Sequence, residues 1–166
     1  MLLFENKETH TQIKYAITLL IDADACPVKA EIYRVMSRYK LKTFIVANRF
    51  FSLPDEELIE RVVVTGGLGC VDDWIVEHVH EASIVITSDI PLASRVVQAG
   101  GVCLSPTGRI FDVSSIGPAL AMRNLMEDLR RQGKITGGPR PFCRKDRFSF
   151  LLALDLAVRR LKRRGY

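Results

Sequence analysis

Residues 17–36 read ITLLIDADACPVKAEIYRVM, and the order of events within them decides the fold. An almost continuous apolar run breaks at Asp22 and Asp24. Pro27 then precedes Val28, Ile32, Val35, Met36 and Tyr39, which recur at helical spacing. A continuous apolar strand suits a parallel sheet covered on both faces, and proline is favoured in the first turn of a helix. Strand followed at once by helix opens an α/β fold. The same stretch poses a chemical problem. Two carboxylates stand two residues apart at the end of a buried strand, where desolvation and mutual repulsion both cost free energy. A metal ion, a helix N-terminus or exposure at the sheet rim would each relieve them.

The alternation continues downstream. Strands are expected at Ala16–Ile21, Thr43–Ala47, Arg61–Thr65, Ile84–Ser88 and Val102–Leu104. Helices are expected at Asp73–His80 and Pro91–Ala99, the second stopped by Gly100 and Gly101. This pattern predicts a mostly parallel central sheet. In the last third, SPTGRIFD (105–112) reads as a turn-rich connection. Ser115 then caps a helix with Ala119, Met122, Met126 and Leu129 as one stripe, ending near Gly133. The glycines and prolines of GKITGGPRPFCRKD (133–146) argue against regular structure, and a final helix follows with Leu151, Leu154, Val158 and Leu161 buried. Residues 1–14 read as a flexible leader, and 15–166 as one domain with a helical C-terminal elaboration.

With 166 residues, 48% hydrophobic and 26% charged, the chain has the composition of an ordinary soluble domain. No apolar run approaches the ~20 residues of a membrane span, and Ala16–Ile21 is too short for the core of a signal peptide. A cytoplasmic location without a membrane partner is expected. Cys26, Cys70, Cys103 and Cys143 form no CxxC pair, and His10, His78 and His80 do not complete a zinc set. Cys26 is expected at a helix N-terminus, where a thiol has a lowered pKa. From Arg123 onward there are thirteen basic and four acidic residues, a net +9, against −4 for the remainder. An acidic body with a basic end points to a polyanionic partner such as a nucleic acid. The closing RRLKRRGY alone reads as a solvated helix end whose arginines offset the helix dipole.

Ligand sites in open parallel sheets lie beyond the carboxyl ends of the strands. The expected strands deliver Asp22 and Asp24, then Asn48, then Asp72 and Asp73 at a helix start, then Ser88 and Asp89. Each aspartate alone has a plain reading as a helix cap. Together, five oxygen donors without soft ligands fit Mg²⁺ or Mn²⁺, which activate water and stabilise charge on a phosphate. TGGLGCVD (65–72) lacks the third glycine of a dinucleotide fingerprint and the Lys-Ser/Thr of a P-loop, so its glycines allow a tight turn that lets a metal-bound substrate approach, or serve as a turn and nothing more. In KITGGPRPFCRKDR (134–147), Gly137 and Gly138 expose backbone N–H groups, and Arg140, Arg144, Lys145 and Arg147 offer phosphate contacts. Asp146 among them pairs with Arg147 or reaches the acidic rim. A merely solvated surface loop is the alternative.

DADACPVK, VANRF, VDDWIV, VITSDIPLA, MRNLMEDLR and TGGPRPFCRKDRFSF, in this order, resemble the YaiI/YqxD family of bacterial proteins from about Tyr15 to about Arg160. That family is grouped with PIN-like domains. The resemblance implies a three-layer α/β/α sandwich and a metal-dependent nuclease, with Asp22, Asp24, Asp72 and Asp89 as metal ligands. It gives Asp73 a less secure place, because other polar residues occur there.

Three functions are then in play. The first is a Mg²⁺/Mn²⁺-dependent phosphodiesterase acting on RNA or another nucleic acid. The second is a phosphatase with Asp22 as nucleophile and Asp24 as acid/base, since LLIDADA followed by VITSD resembles haloacid-dehalogenase-like motifs, although a suitably placed lysine is missing. The third is a non-catalytic nucleic-acid-binding or regulatory module.

Overall fold

The computed structural model describes residues 15–166, so the expected leader at 1–14 lies outside the described residues. Six strands form one sheet: β1 (Thr18–Asp22), β2 (Lys42–Ala47), β3 (Ile59–Val63), β4 (Ser83–Ile86), β5 (Val102–Leu104) and β6 (Ile110–Phe111). Their spatial order is β3-β2-β1-β4-β5-β6, with every pair parallel except β5–β6. The helices are α1 (Lys29–Tyr39), α2 (Cys70–His78), α3 (Ile90–Gln98), α4 (Val113–Arg131) and α5 (Arg144–Arg163).

Alternation along the strands divides the core in two. Leu19 and Ile21 of β1 join Ile45, Ile84, Ile86 and Leu104 on one face, under Ile32 and Met36 of α1 and Phe150, Leu154 and Val158 of α5. Leu20 joins Val46, Val85 and Cys103 on the other, under Val71 and Ile75 of α2, Leu92 and Val96 of α3, and Ile116 of α4. The result is a three-layer α/β/α arrangement. Each such aliphatic side chain, fully buried, contributes about 1.5–3 kcal/mol of transfer free energy.

Several expectations need correction. Pro27 does not sit in the first turn of α1. A short 3-10 turn, Ala23–Ala25, intervenes, and α1 starts two residues after the proline with Val28 as its cap. The segment 105–112 is not only a connection. Ser105–Arg109 closes a hairpin, with Gly108 N–H donating to the Ser105 carbonyl at 3.0 Å, and Ile110–Phe111 return antiparallel to β5. The cap of α4 is Asp112, whose carboxylate accepts from the Ser114 and Ser115 N–H groups, while Ser115 Oγ accepts from Asp112 N–H. The expected α4 stripe is buried at Ala119 but exposed at Met122 and Met126, because only the first turns of α4 reach the core. Finally, α5 begins at Arg144, inside the stretch expected to be irregular. Cys143 N–H donates to the Asp146 carboxylate at 2.9 Å, which closes the first turn despite the preceding prolines.

Among the described residues, no helix is long and apolar enough to cross a membrane.

Candidate functional site

From β1 the chain moves to β2 and β3 on one side, and from β4 to β5 on the other. The crevice at such a reversal, beyond the carboxyl ends of the strands, is where open α/β sheets bind ligands. A cavity of about 720 Å³ opens there, at the ends of β1 and β4. Its walls include Asp22, Asp24, Asn48, Asp72, Ser88 and Asp89, contributed by four separate stretches of chain.

Asp22 ends β1 and is only 8% exposed. Thr87 Oγ1 donates to its Oδ2 at 2.8 Å and accepts from Asp89 N–H at 3.0 Å, so one hydroxyl ties the ends of β1 and β4 together. Burial pushes the Asp22 carboxyl up from its ordinary value; the Thr87 hydroxyl and the Asp24 backbone N–H oppose the rise, and the charges of Asp24 and Asp89 add to it. Asp72 lies in the first turn of α2, behind a turn that ends at Gly69 in the left-handed region at φ +87°. Its carboxyl is raised as well, by burial first and then by Asp89 and Asp22, against the pull of Arg95. Asp89 caps α3, accepting from Leu92 N–H at 2.8 Å. The capping explanation therefore holds for Asp89 but not for Asp24 or Asp72, since Val28 and Gly69 occupy the cap positions of the helices that follow. Asp24 is exposed in the 3-10 turn. The chain is thus not extended between Asp22 and Asp24, yet both line the cavity.

Asp73 points elsewhere. It is exposed, pairs with Arg95 at 2.7 Å and is absent from the cavity wall. Arg123, from α4, is present on that wall and was given no site role by the sequence. It pairs with Glu127 one turn on.

As they stand, no three Asp, Glu, His or Cys side chains among the described residues are close enough to hold one metal ion. The donor chemistry nonetheless suits a hard divalent cation. All four carboxylates on the wall offer oxygen, and two of them are raised partly by the charges of the others, which a cation would relieve.

The basic stretch is organised differently. Asp146 is buried, and Arg140 forks both of its oxygens, Nη1 donating at 2.8 Å. The Arg140 guanidinium, followed by the Cys143 N–H, holds the Asp146 carboxyl well below the usual range. Asp146 therefore neither pairs with Arg147 nor reaches the acidic rim. Arg147 donates to the Pro27 carbonyl at 2.8 Å and pairs with Glu31, fastening α5 to the start of α1. Arg144 and Lys145 are exposed on the first turn of α5, and Gly137 and Gly138 are exposed before it. None of these four, nor Arg147, lines the acidic cavity. Cys26 also departs from expectation. Burial pushes its thiol up to about 11, against the Val28 backbone N–H and the Lys29 charge, and the helix it was expected to open starts three residues later.

Asp146→Asn is expected to destabilise the chain at neutral pH. A carboxyl depressed by folding stabilises the native state above its unfolded pKa, and that contribution fades as the pH falls through the folded one. The gap between wild type and variant in urea unfolding should be full at pH 7 and shrink below about pH 4.

The family model described as "Uncharacterized BCR, YaiI/YqxD family" matches residues 20–160. A UPF0178 protein of Bartonella henselae is 76% identical over 148 residues, covering 89% of this chain and 100% of the relative. UPF0178 proteins of Brucella ovis and Brucella suis are each 56% identical over 151 residues, covering 90% of this chain and 94% of theirs. No solved structure matches.

Proposed function

The chain belongs to the YaiI/YqxD family, and we propose that it is a Mg²⁺- or Mn²⁺-dependent phosphodiesterase acting on nucleic acid, RNA in the first instance. One observation carries this reading: Asp22, Asp24, Asp72 and Asp89 line a single cavity at the point where the sheet reverses. A phosphate cannot approach four carboxylates unless a cation stands between them. Asp22, Asp72 and Asp89, with Asp24 at the open edge, would hold that cation. Bound there, it would supply an activated water and charge stabilisation at the phosphate.

The remaining residues have supporting tasks. Thr87 fixes the orientation of the buried Asp22, and the α3 N-terminus fixes Asp89. Asn48 and Ser88 offer neutral polar groups to the substrate, and Arg123 is the cation already on the wall. The arginines and lysines from Arg123 onward supply non-specific attraction for the phosphate backbone. An aspartyl-nucleophile phosphatase has less support, because no lysine is found among the described residues of the cavity wall.

Calorimetric titration with Mn²⁺ should give a saturable signal in the wild type. In Asp89→Asn that signal should weaken. Cleavage of a single-stranded RNA should fall by more than the about 10–100-fold that losing an outer-shell partner costs. RNA binding itself should persist or tighten, since a negative charge near the phosphate is gone. A wild type that takes up no Mn²⁺ would refute the proposal, and RNA binding without cleavage under any divalent metal would favour the non-catalytic module.

A further inference from the structure

Beside the acidic cavity lies a second of about 790 Å³, and the two share Asp24, Ser88 and Ile90 as a common wall. Its character is opposite. Ile90, Pro106, Pro139 and Phe142 give it an apolar side, and Ser105 and Thr107 place hydroxyls on it. Two guanidiniums, Arg109 and Arg140, border it. Among the described residues Arg109 makes no ion pair; it is exposed and lies over the Phe111 ring at 4.9 Å from the centroid. Arg140 is held in place by its fork on Asp146, which also cancels the one buried carboxylate of this wall. What remains is an apolar, cation-edged recess opening directly onto a cluster of carboxylates.

We infer that this second cavity is a nucleoside subsite, which takes the base and sugar of the nucleotide adjoining the phosphate held at the acidic cavity. The inference rests on the phosphodiesterase reading for the phosphate, and on the second cavity's own walls for the base. Sequence-tolerant binding of single strands combines an aromatic or apolar platform for the base with cations along the backbone. Here Phe142 and the prolines form the platform, while Arg109 and Arg140 meet the next phosphate. The volume is within the range of about 300–1,000 Å³ usual for small-ligand sites. A base paired within a duplex is covered on both faces by its neighbours, so the recess selects unpaired strands.

The probes are adenosine 5′-monophosphate and ribose 5-phosphate, whose phosphate without metal is to lie against Arg109 and Arg140 and not at the carboxylates. They are added to the whole chain in EDTA and followed by amide chemical shifts and calorimetry. Adenosine monophosphate should bind, with shifts concentrated at Ser105–Arg109 and around Phe142, and at least about tenfold more tightly than ribose 5-phosphate. Arg109→Ala and Phe142→Leu should each weaken it by about tenfold. The leucine keeps an apolar group where Phe142 meets the core, and unchanged circular dichroism verifies the fold. Equal binding of the two probes, shifts confined to the acidic rim, or full affinity in both variants would overturn the subsite. Because no metal or turnover enters the measurement, its failure is separate from that of the phosphodiesterase. Mn²⁺ uptake with no nucleoside preference sinks only the subsite, and nucleoside binding without Mn²⁺ uptake sinks only the enzyme.

Discussion

Asp22→Asn is expected to raise the melting temperature of the metal-free protein while removing the Mn²⁺-dependent activity proposed for it. Asparagine keeps an oxygen that can accept from Thr87 Oγ1, so the tie between β1 and β4 survives. What disappears is a buried charge whose pKa is raised by desolvation first, and less by the charges of Asp24 and Asp89, against the Thr87 hydroxyl and the Asp24 backbone N–H. A carboxyl with a raised folded pKa binds its proton more tightly in the native state, so folding stability falls as the pH climbs from the unfolded value through the folded one. Above that window the cost is constant. The variant's advantage should therefore be absent in strong acid, grow as the pH rises through the carboxylate range and be complete at pH 7. Each kcal/mol of relief corresponds to about 2–4 °C for a chain of this size. Adding Mn²⁺ should reverse the ranking, since a ligand that binds only the native state stabilises it by mass action. Differential scanning calorimetry across pH, with and without Mn²⁺, reads all of this. A variant less stable than wild type at pH 7 without metal would show that the Asp22 charge has a compensating partner in the fold.

Gly108→Ala should give the largest loss of stability. Gly108 has φ +89°, and a Cβ there would stand 2.6 Å from the Ser149 carbonyl carbon and 2.8 Å from the Phe150 nitrogen. Those atoms belong to the backbone of α5, which cannot step aside as a side chain end can. Strain in the left-handed region costs about 1–2 kcal/mol by itself, and overpacking adds about 1–3 kcal/mol. A total near 3 kcal/mol, read from urea unfolding, corresponds to a fall of about 6–12 °C in Tm. Gly137→Ala is the control, because Gly137 has φ +105° but nothing within 4 Å of its Cβ position, so only the strain should appear. Equal losses in the two variants would mean that the 105–109 turn yields freely from α5. The same turn carries Ser105, Thr107 and Arg109, so Gly108→Ala should also blunt nucleoside binding.

Most of the parallel strands were legible because they are short apolar runs that end in polar residues, and β5 was placed with its bounds intact. The half-exposed β3, IERVV, spans Ile59–Val63, two residues before the expected Arg61–Thr65, because Glu60 and Arg61 interrupt its apolar run. The acidic rim was legible for the same reason, since strand ends mark where a parallel sheet opens to solvent. Which of two adjacent aspartates faces the cavity was not. Successive helical residues point about 100° apart, so the choice depends on where α2 begins, and it begins at Cys70 rather than Asp73. Arg123 gave no signal because its place comes from α4 folding back toward the rim, a long-range event with no local pattern. The pairing of Arg140 with Asp146 spans the junction of a loop and a helix start, where neither period applies. Strand β6 is two residues long, too short for alternation to register, although a glycine two positions before it is the mark of a short hairpin loop.

The position of α5 has a consequence for how the protein is made. It shares a layer with α1, and Tyr39 Oη donates to Asp155 at 2.6 Å across 116 positions of sequence. During synthesis, strands β1 to β5 and α1 all leave the ribosome before α5 does. Over that interval one face of the sheet, including Ile84, Ile86 and Leu104, has no Phe150, Leu154 or Val158 to cover it. Translation at about 5–20 residues per second makes that exposure last for seconds, a span in which bare sheet faces attract chaperones and one another. The layer that seals the core is thus also the step that sets when the nascent chain becomes safe from aggregation.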